Sequence, residues 1–261
     1  MADTTQAAQD NNDDAMTSAG TSVPASLNDA IAQARGAAQA AIQAGVPRMV
    51  VELAYSELKG LPVAQQFYPA LQDLGLVFKV YFPDAGAAAL ARRDWGNPDF
   101  VVRAIGELHS EMAPEDQAYL FVEPSSIEVN QVEDMCAEAG DKFVIMLNPK
   151  LEDVATIGIG YAGRQLRDRF LSTLEPVYYL RPLEGAVLLR CYPHPWQVWQ
   201  ETEAGYRLLA ETPQKPSGEA IDRMLLGETA PEPGATNDTQ SRGKRGSFLS
   251  ELQGFIRALT Q

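Results

Sequence analysis

Four short apolar runs constrain the fold more than any other feature of this sequence. They are rich in β-branched and aromatic residues, and segments with helical patterns separate them. The runs are RMVVELA (48–54), VFKVYFP (77–83), AYLFVEP (118–124) and KFVIMLNP (142–149). Strands that are apolar on both faces are typical of a parallel sheet with helices on both sides. The N-terminal half is therefore predicted to form such a sheet.

The second half of the chain has a different pattern. PVYYLRP and GAVLLRC are separated by one tight connection, and WQVWQE and YRLLAE flank the turn TEAG. Short strands joined by tight turns pair as antiparallel hairpins. We therefore predict an α/β fold with a mixed sheet. Its N-terminal half is parallel with helices on both faces, and its C-terminal half consists of antiparallel hairpins.

Composition divides the chain into four parts. Residues 1–24 contain no Lys, no Arg and no apolar run, so we expect a disordered acidic leader rather than a secretory signal or transit peptide. Residues 25–212 are predicted to form a single α/β domain. Residues 213–246 are rich in Pro, Gly, Ser and Thr, which is typical of a flexible linker. Residues 247–261 have the pattern of an amphipathic helix.

Charge and cysteine content exclude several classes of protein. The formal net charge of −14 argues against nucleic-acid binding, which needs a basic surface. Cys136 and Cys191 lack the spacing of a metal site, so we predict neither a metal nor a cofactor. No segment has the roughly twenty consecutive apolar residues of a membrane-spanning helix. We expect a cytoplasmic protein, with peripheral contact with a membrane left open.

A glycine motif precedes one predicted helix. In GIGYAGRQLRDRF (158–170), Gly158, Gly160 and Gly163 have the spacing of the dinucleotide-binding fingerprint. That fingerprint needs a buried strand before it and an acid at the end of the next strand, but VATI is short and VYYL ends in Arg181. We favour close packing of a helix on the sheet. The alternative is an anion at the helix N-terminus, assisted by Arg164.

Polar residues follow three of the predicted parallel strands. Asp84, Glu123 and Asn148 come at the ends of apolar runs, where ligands bind in parallel sheets, and with Arg164 they are candidates for a crevice that binds a ligand or anion. Asp84 and Asn148 are equally well placed to cap helices, and we favour that role. Glu52 lies inside an apolar run, so its carboxylate needs either a partner or a position at a sheet edge.

Several stretches together resemble an uncharacterised domain family of cyanobacteria and plastids that includes the plant low-photosystem-II-accumulation proteins. They are VPASLNDAIAQA, VYFPDAGAAALARRDWG, VIMLNP, GIGYAGRQLRDRFLSTLEPVYYLRP and LLRCYPHPWQVW, over about residues 23–212. The resemblance brings no catalytic mechanism with it, and it implies a link to photosystem II assembly. Because no transit peptide is recognisable, it also implies a cyanobacterial rather than a plastid protein.

No catalytic residues are assigned from the sequence. His109 and His194 are not assigned to a catalytic triad, because neither lies beside a residue whose sequence context is that of a Ser or Cys nucleophile. We therefore favour a non-enzymatic binding or assembly protein that holds a photosynthetic protein partner. The alternative is an enzyme or sensor that binds a small molecule, nucleotide or phosphate at the strand-end crevice and the Gly158–Gly163 loop.

Two segments are predicted to contact a partner. One is the stretch ARRDW with Arg92, Arg93 and Trp95, because Arg and Trp are favoured in protein interfaces. The other is the C-terminal segment, in which the large apolar residues recur at helical spacing and three basic residues precede the stripe. The stripe comprises Phe248, Leu249, Leu252, Phe255, Ile256 and Leu259. We expect it to dock on a partner groove or an anionic membrane surface, the alternative being its own domain.

The membrane version of this prediction can be tested by co-sedimentation with anionic, thylakoid-like liposomes. Full-length protein should pellet more than a chain ending at Gly246, because the helix buries its apolar stripe and Arg242, Lys244 and Arg245 attract anionic lipid. Equal pelleting of both chains would contradict membrane docking. A melting temperature several degrees lower for the shorter chain would show that the helix packs on its own domain.

Overall fold

The parallel strands and the hairpins join into one mixed sheet of nine strands. In this computed structural model, which describes residues 21–107, 112–151 and 161–227, the strand order is β3-β2-β4-β5-β1-β6-β7-β8-β9. The six strands from β3 to β6 in that order are parallel, and β6 to β9 form an antiparallel meander. The predicted α/β fold with its parallel N-terminal half and antiparallel C-terminal hairpins is confirmed.

The elements follow one another along the chain with short connections. The strands are β1 (Arg48–Leu53), β2 (Phe78–Phe82), β3 (Val101–Ala104), β4 (Ala118–Val122), β5 (Phe143–Leu147), β6 (Glu175–Leu183), β7 (Ala186–Cys191), β8 (Trp196–Thr202) and β9 (Gly205–Thr212). The helices are α1 (Leu27–Gln43), α2 (Gly60–Phe67), α3 (Pro69–Asp73), α4 (Ala85–Asp94), α5 (Val129–Ala139), α6 (Tyr161–Arg169) and α7 (Gly218–Leu225).

Helices cover both faces of the sheet. On the first face α1 to α4 pack over the sheet, and the alanine-rich side of α1 lets that helix approach closely. On the second face α5 and α6 cover the parallel strands, and α7 covers part of the antiparallel strands. The two faces explain why the parallel strands are apolar along their whole length: β4 is buried at every position.

The central strand β1 shows how the faces differ. Met49, Val51 and Leu53 are fully or almost fully buried in the core of the first face. Side chains alternate along a strand, so Val50 and Glu52 point to the second face. Val50 packs against the core under α5 and α6, and the next residue of this set, Ala54, packs against the core under α7. Glu52 therefore lies between two apolar clusters.

The predicted domain boundaries shift at both ends. Val23 packs against the first core and the Ser22 carbonyl accepts a hydrogen bond from Gln33, so the ordered chain begins before residue 25. Helix α7 lies within the predicted linker 213–246, yet its Ile221 is buried against the antiparallel strands. The sequence predicted a linker here because Pro and Gly flank the helix on both sides. Residues 1–20 and 228–261, with the C-terminal segment 247–261, lie outside the described residues.

Among the helices that the structure describes, none has both the length and the apolar character needed to span a membrane. The sequence led to the same expectation from the lengths of its apolar runs.

Replacing Ile221 with Ala tests whether α7 belongs to the domain. The change leaves a cavity between α7 and the antiparallel strands, so the free energy of unfolding should fall by about 2–5 kcal/mol. Denaturant unfolding of the purified protein measures it. The control is Leu226→Ala at the exposed end of the same helix, which should change stability by less than about 0.5 kcal/mol. Equal, small effects of both changes would mean that α7 does not stabilise the sheet.

Candidate functional site

The carboxyl ends of the parallel strands form one edge of the sheet, here called the carboxyl edge. At this edge β2 leads to α4 on the first face, whereas its neighbour β4 leads to α5 on the second face. The neighbours β1 and β5 diverge in the same way, to α2 and α6. Ligands bind in parallel sheets where such connections separate. The fold thus places two diverging pairs of loops where the sequence predicted a crevice.

Asp84 caps the helix that follows β2. Its carboxylate Oδ1 accepts a hydrogen bond of 2.9 Å from the backbone N–H of Ala87, in the first turn of α4. This is the favoured of the two roles that the sequence left open. The carboxylate satisfies a backbone donor of the helix N-terminus, so the fold itself uses it.

Glu123 connects three elements at the carboxyl edge. Its backbone has a positive φ of 50° at the end of β4, and its carboxylate forms an ion pair of 3.1 Å with Lys150 after β5. The carboxyl group also lies against Gly60, the first residue of α2. A Cβ added there would be 2.2 Å from Glu123 Oε2, so glycine is needed for this approach. A carboxylate at a helix N-terminus is favoured by the helix dipole.

Asn148 joins β5 to β1 and caps no helix. Its φ is 49°, and its side chain is turned back so that Oδ1 accepts a 2.7 Å hydrogen bond from the backbone N–H of Leu53. Its own backbone N–H donates to the Val51 carbonyl. The residue is only 8% exposed. The preferred helix-cap interpretation is wrong because the left-handed backbone directs the amide towards the end of β1.

The structure describes only part of the predicted glycine motif. Gly163 is buried in the first turn of α6, and Arg164 beside it is exposed. Gly158 and Gly160 lie outside the described residues. Helix α6 lies between β5 and β6 in the chain, and it leads towards the amino-terminal ends of the parallel strands, where Arg48 of β1 contacts Thr173. The first turn of α6 consequently starts at the carboxyl edge, on the second face.

Trp95 lies in the core rather than at a surface for a partner. Its indole is 9% exposed and packs against Tyr68, Phe82 and Phe100. Of the two arginines predicted with it, Arg92 donates a 2.7 Å hydrogen bond to the Val102 carbonyl of β3. Arg93 pairs with its neighbour Asp94 at the surface. The helical geometry turns the tryptophan inward and the arginines outward, so the three side chains do not form one patch.

The cysteine thiols are unsuited to nucleophilic chemistry. Burial raises the pKa of Cys136 to about 12 and that of Cys191 to about 11, so both are protonated at neutral pH. His194 lies in the turn between β7 and β8, and its backbone N–H donates to the Cys191 carbonyl. In the part of the chain that the structure describes, three or more metal-ligating side chains do not cluster anywhere.

The second face of the sheet carries a polar cluster that the sequence indicated only in part. Glu52 on β1 pairs in register with Tyr179 on β6, and Arg181 follows two residues later on the same face. Lys215, between β9 and α7, places its Nζ 3.8 Å from the centre of the Tyr179 ring. The sequence singled out Glu52 as a carboxylate in an apolar strand, but the lysine comes from the segment interpreted as a linker. We call Glu52, Tyr179, Arg181 and Lys215 the Glu52 cluster.

Comparison with known families gives the same extent for the domain as the fold does. A family model described as "Domain of unknown function (DUF1995)" matches residues 24–223. The chain belongs to this family. The matched region begins just before α1 and ends within α7, so the DUF1995 domain includes the whole nine-stranded sheet and the Glu52 cluster.

Burial dominates the electrostatics of Glu52 in the DUF1995 domain. Removal of the carboxyl group from water raises its pKa, while the positive charges of Lys215 and Arg181 lower it by less. A raised pKa means that the folded state favours the protonated carboxyl. The ionised form, which dominates in the unfolded chain at neutral pH, is therefore a cost to stability there.

Replacing Glu52 with Gln should raise the melting temperature of the DUF1995 domain at pH 7. The amide keeps the shape of the side chain and removes the charge whose burial is unfavourable. The gain should shrink as the pH falls below the ordinary glutamate pKa, because both states then carry a protonated carboxyl. The matched control is Glu184→Gln in the exposed β6–β7 turn, which should show little effect at any pH. Destabilisation by Glu52→Gln at pH 7 would mean that the carboxylate is well paired.

Proposed function

We propose that this protein is a non-enzymatic binding protein of photosynthetic organisms that holds a protein partner during photosystem II assembly or thylakoid maintenance. The resemblance of the stretches within residues 23–212 to the cyanobacterial and plastid proteins supports the biological setting. The observation that carries the proposed binding is the long sheet edge at β9, a strand that in the described residues is paired on one side only.

The two edge strands of the sheet, β3 and β9, differ in their length and in how far they are covered. Strand β3 has only four residues, and Arg92 of α4 donates to its Val102 carbonyl, so this edge is short and partly covered. Strand β9 has eight residues, and among the strands that the structure describes it pairs with β8 alone. Leu208 in the middle of β9 is 40% exposed. Natural proteins usually shorten or charge a free edge or place a bulge in it to prevent pairing with another chain. β9 has two charged residues, Arg207 and Glu211, and a register shift against β8, but it is long and its central leucine is exposed. This length and the exposed leucine favour the addition of an extended segment from a partner.

Binding by strand addition fits the chemistry of this edge. The outward backbone groups of β9 would supply hydrogen bonds to the partner strand, and Leu208 would supply an apolar contact. The sequence-based alternative, an enzyme or sensor for a nucleotide or phosphate, stays a prediction. Of its crevice residues, Asp84, Glu123 and Asn148 bond to neighbouring parts of the fold.

The test compares Leu208→Lys with Val101→Lys, a control at the opposite edge that has the same 40% exposure. A charge at the centre of β9 should disfavour strand addition, because pairing would desolvate it. Tagged full-length proteins expressed in a cyanobacterium should then differ in the amount of photosystem II subunits that co-purify. We expect Leu208→Lys to lose most of this material and Val101→Lys to retain it. Equal recovery with both variants would contradict binding at β9.

A further inference from the structure

Glu52 is a half-buried carboxylate for which the fold provides no direct partner. It lies on β1, the fifth of nine strands in the sheet order, and in the described chain it has no hydrogen bond and no ion pair. Asp116, which is more deeply buried, has direct partners: its carboxylate Oδ2 lies 2.8 Å from Lys79 Nζ and accepts from the Ala113 N–H and the Tyr119 hydroxyl. The domain therefore satisfies a structural carboxylate when one is present.

Among the described residues, neither cation of the Glu52 cluster forms an ion pair with the carboxylate. Arg181 and Lys215 are close enough to lower its pKa, yet among the described residues neither comes within the 4.0 Å of an ion pair with it. Both of these side chains are exposed to solvent. A half-buried carboxylate with two solvent-exposed cations nearby leaves positive and negative groups available to a third molecule.

Lys215 is held over an aromatic surface. Its Nζ lies 3.8 Å from the centre of the Tyr179 ring and 5.5 Å from that of Trp196, and the two ring centres are 5.2 Å apart. An ammonium group over ring faces is attracted electrostatically and is thereby positioned. The contact occupies one side of the ammonium, and its remaining N–H groups are free to point away from the rings.

The neighbouring polar residues of the same face are already engaged. Arg190, paired in register with Tyr179, donates to the Pro176 carbonyl and to Glu175. Asn148, beside the end of β1, accepts from the Leu53 N–H. Arg190 therefore cannot neutralise Glu52 without giving up a bond of the fold, and the uncharged amide of Asn148 cannot neutralise it at all.

We propose that the Glu52 cluster binds a small ligand that carries both an anionic group and a hydrogen-bond donor. The anionic group, a carboxylate or a phosphate, would bridge Arg181 and Lys215, which are well suited to either. A hydroxyl or amino group of the ligand would donate to the Glu52 carboxylate and supply the partner that the fold lacks. The buried Tyr179 and Trp196 rings lie beneath Lys215 and hold its ammonium group in place for the ligand. This site lies apart from the edge of β9 and does not depend on the function proposed for that edge.

Isothermal titration calorimetry of the full chain tests the site with four probes. Glycerol 3-phosphate carries a phosphate and hydroxyl donors, and malate carries carboxylates and a hydroxyl donor. Inorganic phosphate and acetate serve as the corresponding anions with no carbon-bound hydroxyl or amino donor. We expect saturable binding of glycerol 3-phosphate or of malate, and the stronger of the two identifies the anionic group. If neither probe binds saturably at millimolar concentrations, the proposal is wrong.

Three substitutions assign the binding to the cluster. Arg181→Gln and Lys215→Gln should each weaken binding by about tenfold or more, because each removes a charge-assisted hydrogen bond. Glu52→Gln should weaken the probe with the hydroxyl donor much more than inorganic phosphate or acetate. The control Lys59→Gln removes an exposed charge before α2 and should leave binding unchanged. Circular dichroism checks that every variant is folded. Equal losses in all four variants, or no loss in any, would place the binding elsewhere and overturn the proposal.

Discussion

The whole sheet depends on the pairing of β1 with β5 on one side and β6 on the other. β1 is the first strand of the chain, yet it lies fifth in the sheet and joins the parallel half to the antiparallel half. Both sides are held at its end: the Leu53 N–H donates to the side chain of Asn148, and the Ala54 N–H donates to the Leu180 carbonyl. From β1 the chain crosses to β2 in one direction along the sheet, and from β5 it crosses to β6 in the other. Since connections between parallel strands are right-handed, the two connections lie on opposite faces, and this produces the divergence at the carboxyl edge.

The same position explains the unusual surroundings of Glu52. On the second face, helices α5 and α6 cover one part of the sheet and α7 covers another, with β1 at the boundary. A residue at that boundary is removed from bulk water on two sides without being enclosed by either core. An ionised carboxylate is tolerated there at a cost, and such costs are concentrated at functional sites. This cost supports what the geometry indicates: among the described residues the carboxylate has no close partner, and Lys215 is held over the Tyr179 ring beside it.

Much of the architecture could be predicted from local patterns. The apolar runs predicted strands β1, β2, β4 and β5, and the tight turns predicted the meander, because burial on one or both faces leaves a direct trace in the sequence. The candidate site could be predicted only in part. Glu52 stands out in its strand, whereas Lys215 lies between prolines in a polar segment and meets Tyr179 only through the fold. Asn148 was misinterpreted because its left-handed backbone, which decides where its amide points, leaves little signal in one sequence.

The central claim is that the Glu52 carboxylate is half-buried and has no close partner among the residues that the structure describes. A carbon-detected NMR titration of the glutamate carboxyl groups measures this directly, with Glu52→Gln assigning the resonance. The account predicts a titration midpoint for Glu52 above the ordinary glutamate value of 4.5, because burial outweighs the two distant cations. A midpoint at or below that value would show that Glu52 is already paired within the fold, and would contradict the account.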